Sequence, residues 1–251
     1  MSARFQELDW RATPMGELSL RRRHDPLFRK EVYEIKLDDD FLMSSLFTAA
    51  EVELARLALA ELDGADGTDG ADGADAADGL RVAVGGLGLG YTAHTVLEDP
   101  RVGSLVVVEA LGEVIDWHRE GLIPSGAALV SDSRCRLEHG DFFASVGAGS
   151  GPAPDLGAEP FHAVIVDIDH SPRHLLHPSH AGLYTAEGLR RLRERLLAPG
   201  GVFALWSNDA PDEEFTALLA GVFTTARAEV VDFPNPQQDH DASNTVYVAV
   251  S

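Results

Sequence analysis

Hydrophobic and polar residues follow two rhythms in the first quarter of the chain. Between residues 16 and 43 they alternate one by one, in GELSLRRR and VYEIKLDDDFLMS, with a turn near Asp25-Pro26. This pattern predicts a small antiparallel β unit, an N-terminal β-hairpin extension over residues 1–43. From 44 to 62, in SSLFTAAEVELARLALAEL, leucines and alanines recur at helical spacing. That spacing predicts a connecting helix.

The rest of the chain divides into a biased segment and a long patterned region. Residues 63–79, DGADGTDGADGADAADG, carry aspartate at every third position. They lack the carboxylate and glutamate pattern of a calcium loop, so we predict a flexible linker. From 80 to 251, strand-like runs alternate with helical runs and end in the pair AEVVDF and TVYVAV. This order predicts an α/β fold, a mostly parallel sheet covered by helices, with an antiparallel edge.

Composition narrows the class of protein. The net charge of −21 repels a polyanion, which argues against nucleic-acid binding and is compatible with a cationic substrate such as an amine. No apolar run reaches the roughly 20 residues of a membrane span, and the N-terminus lacks the apolar centre of a signal peptide. One cysteine cannot form an internal disulfide. We therefore expect a cytoplasmic protein without nucleic-acid or membrane partners.

A glycine-rich turn follows the first strand of the α/β region, at Gly85–Gly90. Glu109 ends the second strand roughly 20 residues later, and Asp141 follows the third. Carboxyl ends of parallel strands meet at one edge, so we expect a close backbone approach there, one carboxylate for ribose hydroxyls and one for an adenine amine. The pattern predicts a nucleoside site. Its glycine spacing differs from G-x-G-x-x-G, which disfavours a nicotinamide dinucleotide.

The order of elements resembles that of spermidine synthase and its relatives, the polyamine aminopropyltransferases of the class I methyltransferase fold. It covers nearly the whole chain, through VGGLGLG, VVVEA, HGDFF, VDIDHSP and LYTAEGLRRLRERLLAPGG. The resemblance implies a Rossmann-like sheet of seven strands with the last antiparallel, a small N-terminal β unit and a homodimer. It also implies S-adenosylmethionine, or its decarboxylated form, held by Gly85, Gly86, Gly88, Gly90, Glu109, Asp141 and Phe142.

The same resemblance implies an acceptor side. Asp167, which ends the fourth strand, takes the place of the family's catalytic aspartate. Such a residue orients and deprotonates an amine for attack on the carbon beside the sulfonium. Asp169 and His170 stand in place of the family's second acid. Tyr184 and Asn235 are implied at the substrate.

Departures from the family decide the predicted reaction. The family's glycine turn carries an acid, in a GGGDGG pattern, that contacts the aminopropyl amine, whereas this turn carries Leu87 and Leu89. The family's tyrosine and polar pair falls near Phe47-Thr48. We therefore predict a transferase that alkylates a small acceptor, with methyl transfer slightly favoured. A true aminopropyltransferase and a non-catalytic nucleoside-binding scaffold are the alternatives.

Histidines crowd the loop DIDHSPRHLLHPSHAGLY, at His170, His174, His177 and His180. Imidazole and carboxylate ligands suit zinc or iron. The two prolines of the loop argue against a helix that presents the histidines on one face, so we predict no metal. Two interpretations stay open: an active-site wall with His170 as a proton shuttle, and ordinary loop histidines.

Overall fold

The computed structural model describes residues 5–62, 79–235 and 240–251, which form two sheets. The first is a four-stranded antiparallel sheet in chain order, with strands β1 (Phe5–Thr13), β2 (Gly16–Asp25), β3 (Lys30–Leu37) and β4 (Asp40–Ser44). The predicted hairpin is therefore half of a larger unit. Strand β1 escaped the pattern analysis because it is an edge strand with no buried residue.

Helix α1 (Ala49–Glu61) follows the N-terminal sheet. It begins five residues after position 44, because Ser44 still belongs to β4 and Thr48 is the residue before the first helical turn. Of the predicted linker, residues 63–78 lie outside the described residues. Helix α1 packs against the second sheet and against α2 (Tyr91–Glu98), so it belongs to the main body of the fold.

The second sheet confirms the predicted α/β fold with seven strands. Its order is β10-β11-β9-β8-β5-β6-β7, and the last strand in sequence, β11, runs antiparallel to both of its neighbours. The strands are β5 (Leu80–Gly85), β6 (Val102–Glu109), β7 (Cys135–His139), β8 (Phe161–Val166), β9 (Leu197–Ser207), β10 (Thr225–Phe233) and β11 (Ala242–Val250).

Helices cover both faces of this sheet and enclose a hydrophobic core on each. One core packs α1 and α2 with their neighbours, and the other packs the helices that follow β8 and β9. No helix in the described part of the chain is both long and apolar enough to cross a membrane. The remaining helices are α3 (Gly112–Arg119), α4 (Gly126–Ser131), α5 (Ala186–Leu196) and α6 (Glu213–Ala220), with 3-10 turns at Phe142–Val146 and Pro178–Gly182.

A hydrogen bond joins the N-terminal sheet to the α/β part of the fold. The indole Nε1 of Trp117, a fully buried residue of α3, donates to Asp9 Oδ2 of β1 at 2.7 Å. Arg11 also donates to this carboxylate at 2.7 Å. The N-terminal sheet is therefore fixed against the helix that follows the second parallel strand.

We expect Asp9→Ala to lower the free energy of unfolding by about 1–3 kcal/mol, because it leaves a buried indole N–H without an acceptor. Glu7→Ala, two residues away on the exposed part of the same strand, is the matched control and should change it by less than about 0.5 kcal/mol. Urea unfolding followed by circular dichroism measures both. Equal stabilities of the two variants would contradict the role given to Asp9.

Candidate functional site

A cavity of about 810 Å³ opens at the carboxyl ends of the parallel strands, and the N-terminal sheet forms its roof. This is the edge at which the sequence pattern places ligands. Seven of the predicted site residues line it: Gly86, Gly88, Glu109, Asp141, Phe142, Asp167 and His170.

The glycine turn approaches the neighbouring strand so closely that no side chain fits. Gly86 has φ +96°, and a Cβ built on it would lie 2.1 Å from the carbonyl oxygen of Asp167. The carbonyl of Gly88 accepts from His118 Nε2 at 2.8 Å. Burial lowers the pKa of His118, so its ring is neutral with the proton on Nε2. His118, which the sequence did not associate with the site, therefore holds the turn in shape.

Glu109 ties this turn to the end of β6. Its Oε2 accepts from Leu87 N at 3.0 Å and its Oε1 from Leu111 N at 2.9 Å. Burial raises the pKa of Glu109, and the backbone N–H groups oppose that effect by stabilising the charge. Each carboxylate oxygen can accept a second hydrogen bond. Glu109 lines the cavity, and a ligand hydroxyl there would share the carboxylate with the nearby backbone N–H groups of the turn and of the end of β6.

Asp141 organises the loop beyond β7. Its Oδ1 accepts from Phe143 N, and its Oδ2 accepts from both Ser150 N and Gly151 N, each at 2.9 Å. Three backbone donors therefore already occupy much of the acceptor capacity that the sequence assigned to an adenine amine. The carboxylate shapes this end of the cavity as much as it offers a contact to a ligand.

Two carboxyl groups from distant parts of the chain meet at the cavity floor. Asp167 follows β8, and its Oδ2 accepts from the Thr92 hydroxyl of α2 at 2.7 Å. Glu51 of α1 lines the same floor. Burial raises the pKa of both carboxyls, and the negative charge of Asp167 adds to the effect on Glu51. The pair therefore retains a proton more readily than two separate acids in water would.

Asp169 does not line the cavity. Its side chain is buried, with Oδ1 accepting from Leu176 N at 2.7 Å and pairing with His180 Nδ1 at 2.8 Å. Its Oδ2 accepts from the Tyr184 hydroxyl at 2.8 Å, and burial next to this acid raises the pKa of Tyr184. Asp169 and Tyr184 therefore lie behind the cavity lining, where they hold the histidine-rich loop in place.

Three further predicted residues lie outside the lining: Gly85, Gly90 and Asn235.

The loop histidines make separate contacts. His174 Nδ1 pairs with Asp209 at 2.9 Å, and His177 with the Ser179 hydroxyl at 2.8 Å. The His180 ring stacks on Phe143 with centroids 3.7 Å apart. In the described ranges, no group of three or more histidine, cysteine or acidic side chains could hold a metal ion.

The roles of Glu51 and Thr92 at this site were not predicted from the sequence. A signal for Glu51 was present: positions three, four and seven residues later, Leu54, Ala55 and Ala58, are all on the buried face of α1. A glutamate on the apolar stripe of a helix faces the interior of the protein, so Glu51 could have been predicted to point inward. Thr92 gave no comparable signal, since threonine is ordinary in the first turn of a helix.

Comparison with solved structures shows a spermidine synthase-like fold. A spermidine synthase in complex with the transition state analogue AdoDATO superposes with a TM-score of 0.69 over 98% of this chain and 73% of its own. The spermidine synthase of Thermotoga maritima gives 0.67 over 98% and 72%, and a probable spermidine synthase of Corynebacterium glutamicum 0.60 over 98% and 79%. Each is 15% identical to this chain. No family model matches the sequence.

We expect Gly86→Ala to destabilise the protein severely, because it adds a clash with a backbone oxygen to an unfavourable φ. Gly121→Ala is the matched control: Gly121 has φ +73°, with nothing within 4 Å of an added Cβ. The control should cost about 1 kcal/mol from φ alone, and Gly86→Ala about 1–3 kcal/mol more. Urea unfolding compares them, and equal losses would contradict the close approach.

We expect Glu51→Gln to stabilise the protein increasingly as pH rises. A raised pKa means that the folded state holds a proton that the unfolded chain has already released, so stability falls with rising pH above the ordinary value of 4.5. Glutamine removes this loss. The gain over the parent should be small at about pH 5 and reach about 1 kcal/mol or more at about pH 9.

The control for this measurement is Glu53→Gln, on the same helix, whose side chain is 38% exposed and pairs with Arg56. It should leave the pH dependence of the unfolding free energy unchanged. A Glu51→Gln curve parallel to that of the parent from about pH 5 to about pH 9 would refute the buried acid pair.

Proposed function

We propose that this protein is an aminopropyltransferase, which moves the aminopropyl group of decarboxylated S-adenosylmethionine to the nitrogen of an amine. The observation that carries the proposal is the charge of the cavity. The described residues that line it include neither lysine nor arginine. They include five carboxyl side chains: Glu51, Glu109, Glu113, Asp141 and Asp167.

This charge pattern distinguishes the two donors. Decarboxylated S-adenosylmethionine carries a sulfonium and an ammonium and no carboxylate, so an acidic cavity attracts it. S-adenosylmethionine carries an additional carboxylate, which acidic walls without a basic partner repel. The methyl transfer favoured by the sequence has no support from the comparisons. The structural similarity to spermidine synthases supports the aminopropyl alternative.

The residues present fit such a donor. Gly86 and Glu109 both line the cavity, where turn backbone can approach a nucleoside and a carboxylate can accept from ribose hydroxyls. The donor supplies an activated carbon beside its sulfonium. The acceptor nitrogen forms a bond to that carbon, the carbon–sulfur bond breaks, and its electron pair stays on sulfur.

Asp167 and Glu51 do the proton work. A protonated amine has no lone pair, so the carboxylate of Asp167 first takes up one of its protons, and the neutral nitrogen then attacks. Thr92 holds Asp167 in place through its hydroxyl, and Glu51 is a second acid beside it that can hold a proton. A buried acid whose pKa is raised towards neutrality suits general-base work, because it accepts a proton readily without leaving the site charged. His170, which also lines the cavity, is proposed as the group that relays protons to solvent.

Incubation with decarboxylated S-adenosylmethionine and a panel of amines should release methylthioadenosine, and S-adenosylmethionine should give no S-adenosylhomocysteine. Asp167→Asn should lower kcat by about 100-fold or more, since it removes the base, while donor binding measured by calorimetry persists. Asp155→Asn, at an exposed loop position outside the lining, should retain full activity. S-adenosylhomocysteine as product would overturn the proposal, and donor binding without turnover would favour the scaffold alternative.

A further inference from the structure

The acid pair divides the cavity into two halves of different chemistry. On one side, β5, β6 and the segment after β7 present Gly86, Glu109 and Asp141, the set that suits a nucleoside. On the other side, β8 is followed in the sheet by β9, β11 and β10. The register pairs Val166 with Leu205, so Asp167 lies abreast of the next residue on β9. The second half of the cavity therefore begins at the acid pair and extends towards β10.

Five of the side chains that line that second half, on or beside β9, β10 and β11, are here called the acceptor wall: Phe47, Trp206, Asn208, Phe233 and Asn244. Phe47, just before α1, packs on Phe233 of β10 with ring centroids 5.4 Å apart. Asn244 Nδ2 donates to Asn208 Oδ1 at 3.2 Å. Three aromatic rings and one amide pair thus face the space beyond the acid pair.

None of these five side chains carries a charge. Two described acids that follow β9 are engaged elsewhere: Asp209 pairs with His174 at 2.9 Å, and Asp212 with Arg173 at 2.6 Å. Asp232 is exposed on the strand that carries Phe233 and does not line the cavity. An ammonium buried against the acceptor wall would lose its hydration without gaining a carboxylate, which is costly.

Trp206 adds to this selectivity. Its indole N–H is buried and has no hydrogen-bond partner among the described residues. An N–H donor cannot stabilise an ammonium. Aromatic faces attract a desolvated ammonium, but this attraction is weaker than the cost of burying the ammonium without a carboxylate. The wall therefore favours a neutral, largely apolar body.

We infer, on the basis of the proposed function, that the acceptor is a primary amine with one cationic nitrogen and an uncharged, apolar or aromatic body. Its nitrogen binds at Asp167 and Glu51, and its body lies along the acceptor wall. A diamine of the same length places its second ammonium where no described residue of the wall offers an opposite charge. The enzyme therefore discriminates in favour of monoamines.

Matched amines test this inference. With decarboxylated S-adenosylmethionine as donor, initial rates of methylthioadenosine release are measured for hexylamine against 1,6-diaminohexane and for butylamine against 1,4-diaminobutane. We expect kcat/KM to be about tenfold or more higher for each monoamine, because only the diamine buries a second charge. Equal or higher values for the diamines would overturn the inference and leave the proposed function intact. No product with any amine would overturn both.

A charged variant of the wall gives an independent readout. Phe233→Glu supplies the missing carboxylate and should shift the diamine-to-monoamine ratio of kcat/KM at least about fivefold towards the diamine. Val230→Glu is the matched control, since Val230 lies on the same strand, 51% exposed and outside the lining, and should leave the ratio unchanged. An unchanged ratio in a folded Phe233→Glu variant would refute the position of the acceptor. If that variant does not fold, the comparison of matched amines on the parent decides.

Discussion

The close approach of two backbone segments, at Gly86 and Asp167, sets the geometry on which the cavity depends. Strands β5 and β8 are parallel neighbours, and Asp167 N donates to Gly85 O at 2.8 Å just where both strands end. No Cβ fits at position 86, so the glycine turn and Asp167, an acid of the cavity floor, lie directly against each other at the end of the sheet. The glycine turn, Glu109 and Asp141 lie on the β6 side of this point, and the acceptor wall lies on the β9 side.

Burying two carboxyls at that point costs stability, because neither Glu51 nor Asp167 has a basic side chain beside it in the lining. A cation bound between them would relieve the cost, so ligand binding and folding are coupled at this position. A site that is strained by its own charges and relaxed by its ligand is a common arrangement in enzymes. The raised pKa values of Glu51 and Asp167 have the same cause, the unfavourable burial of the charged carboxylates.

The N-terminal sheet is part of the site as well as an extension of the chain. Met43 of β4 contacts the glycine turn, with Leu89 N 3.1 Å from its sulfur. The bond between Trp117 and Asp9 fixes the sheet at a second point. These two attachments hold the N-terminal sheet in place over the strand ends, where it forms the roof of the cavity.

Much of this protein was determined by the sequence on its own. Alternating strand-like and helical runs predicted the α/β sheet, and strand ends predicted the glycine turn, Glu109 and Asp141 at one edge, because parallel strands align their carboxyl ends. The number of strands and the place of Asp167 came from the resemblance to spermidine synthases. The tertiary structure alone decided the rest. Glu51 reaches the floor because α1 packs across the sheet, and Asp169 is buried because its loop folds back over it. The first depends on contacts between residues far apart in the chain, and the second on the fold of an irregular loop. Helical and strand periods encode neither.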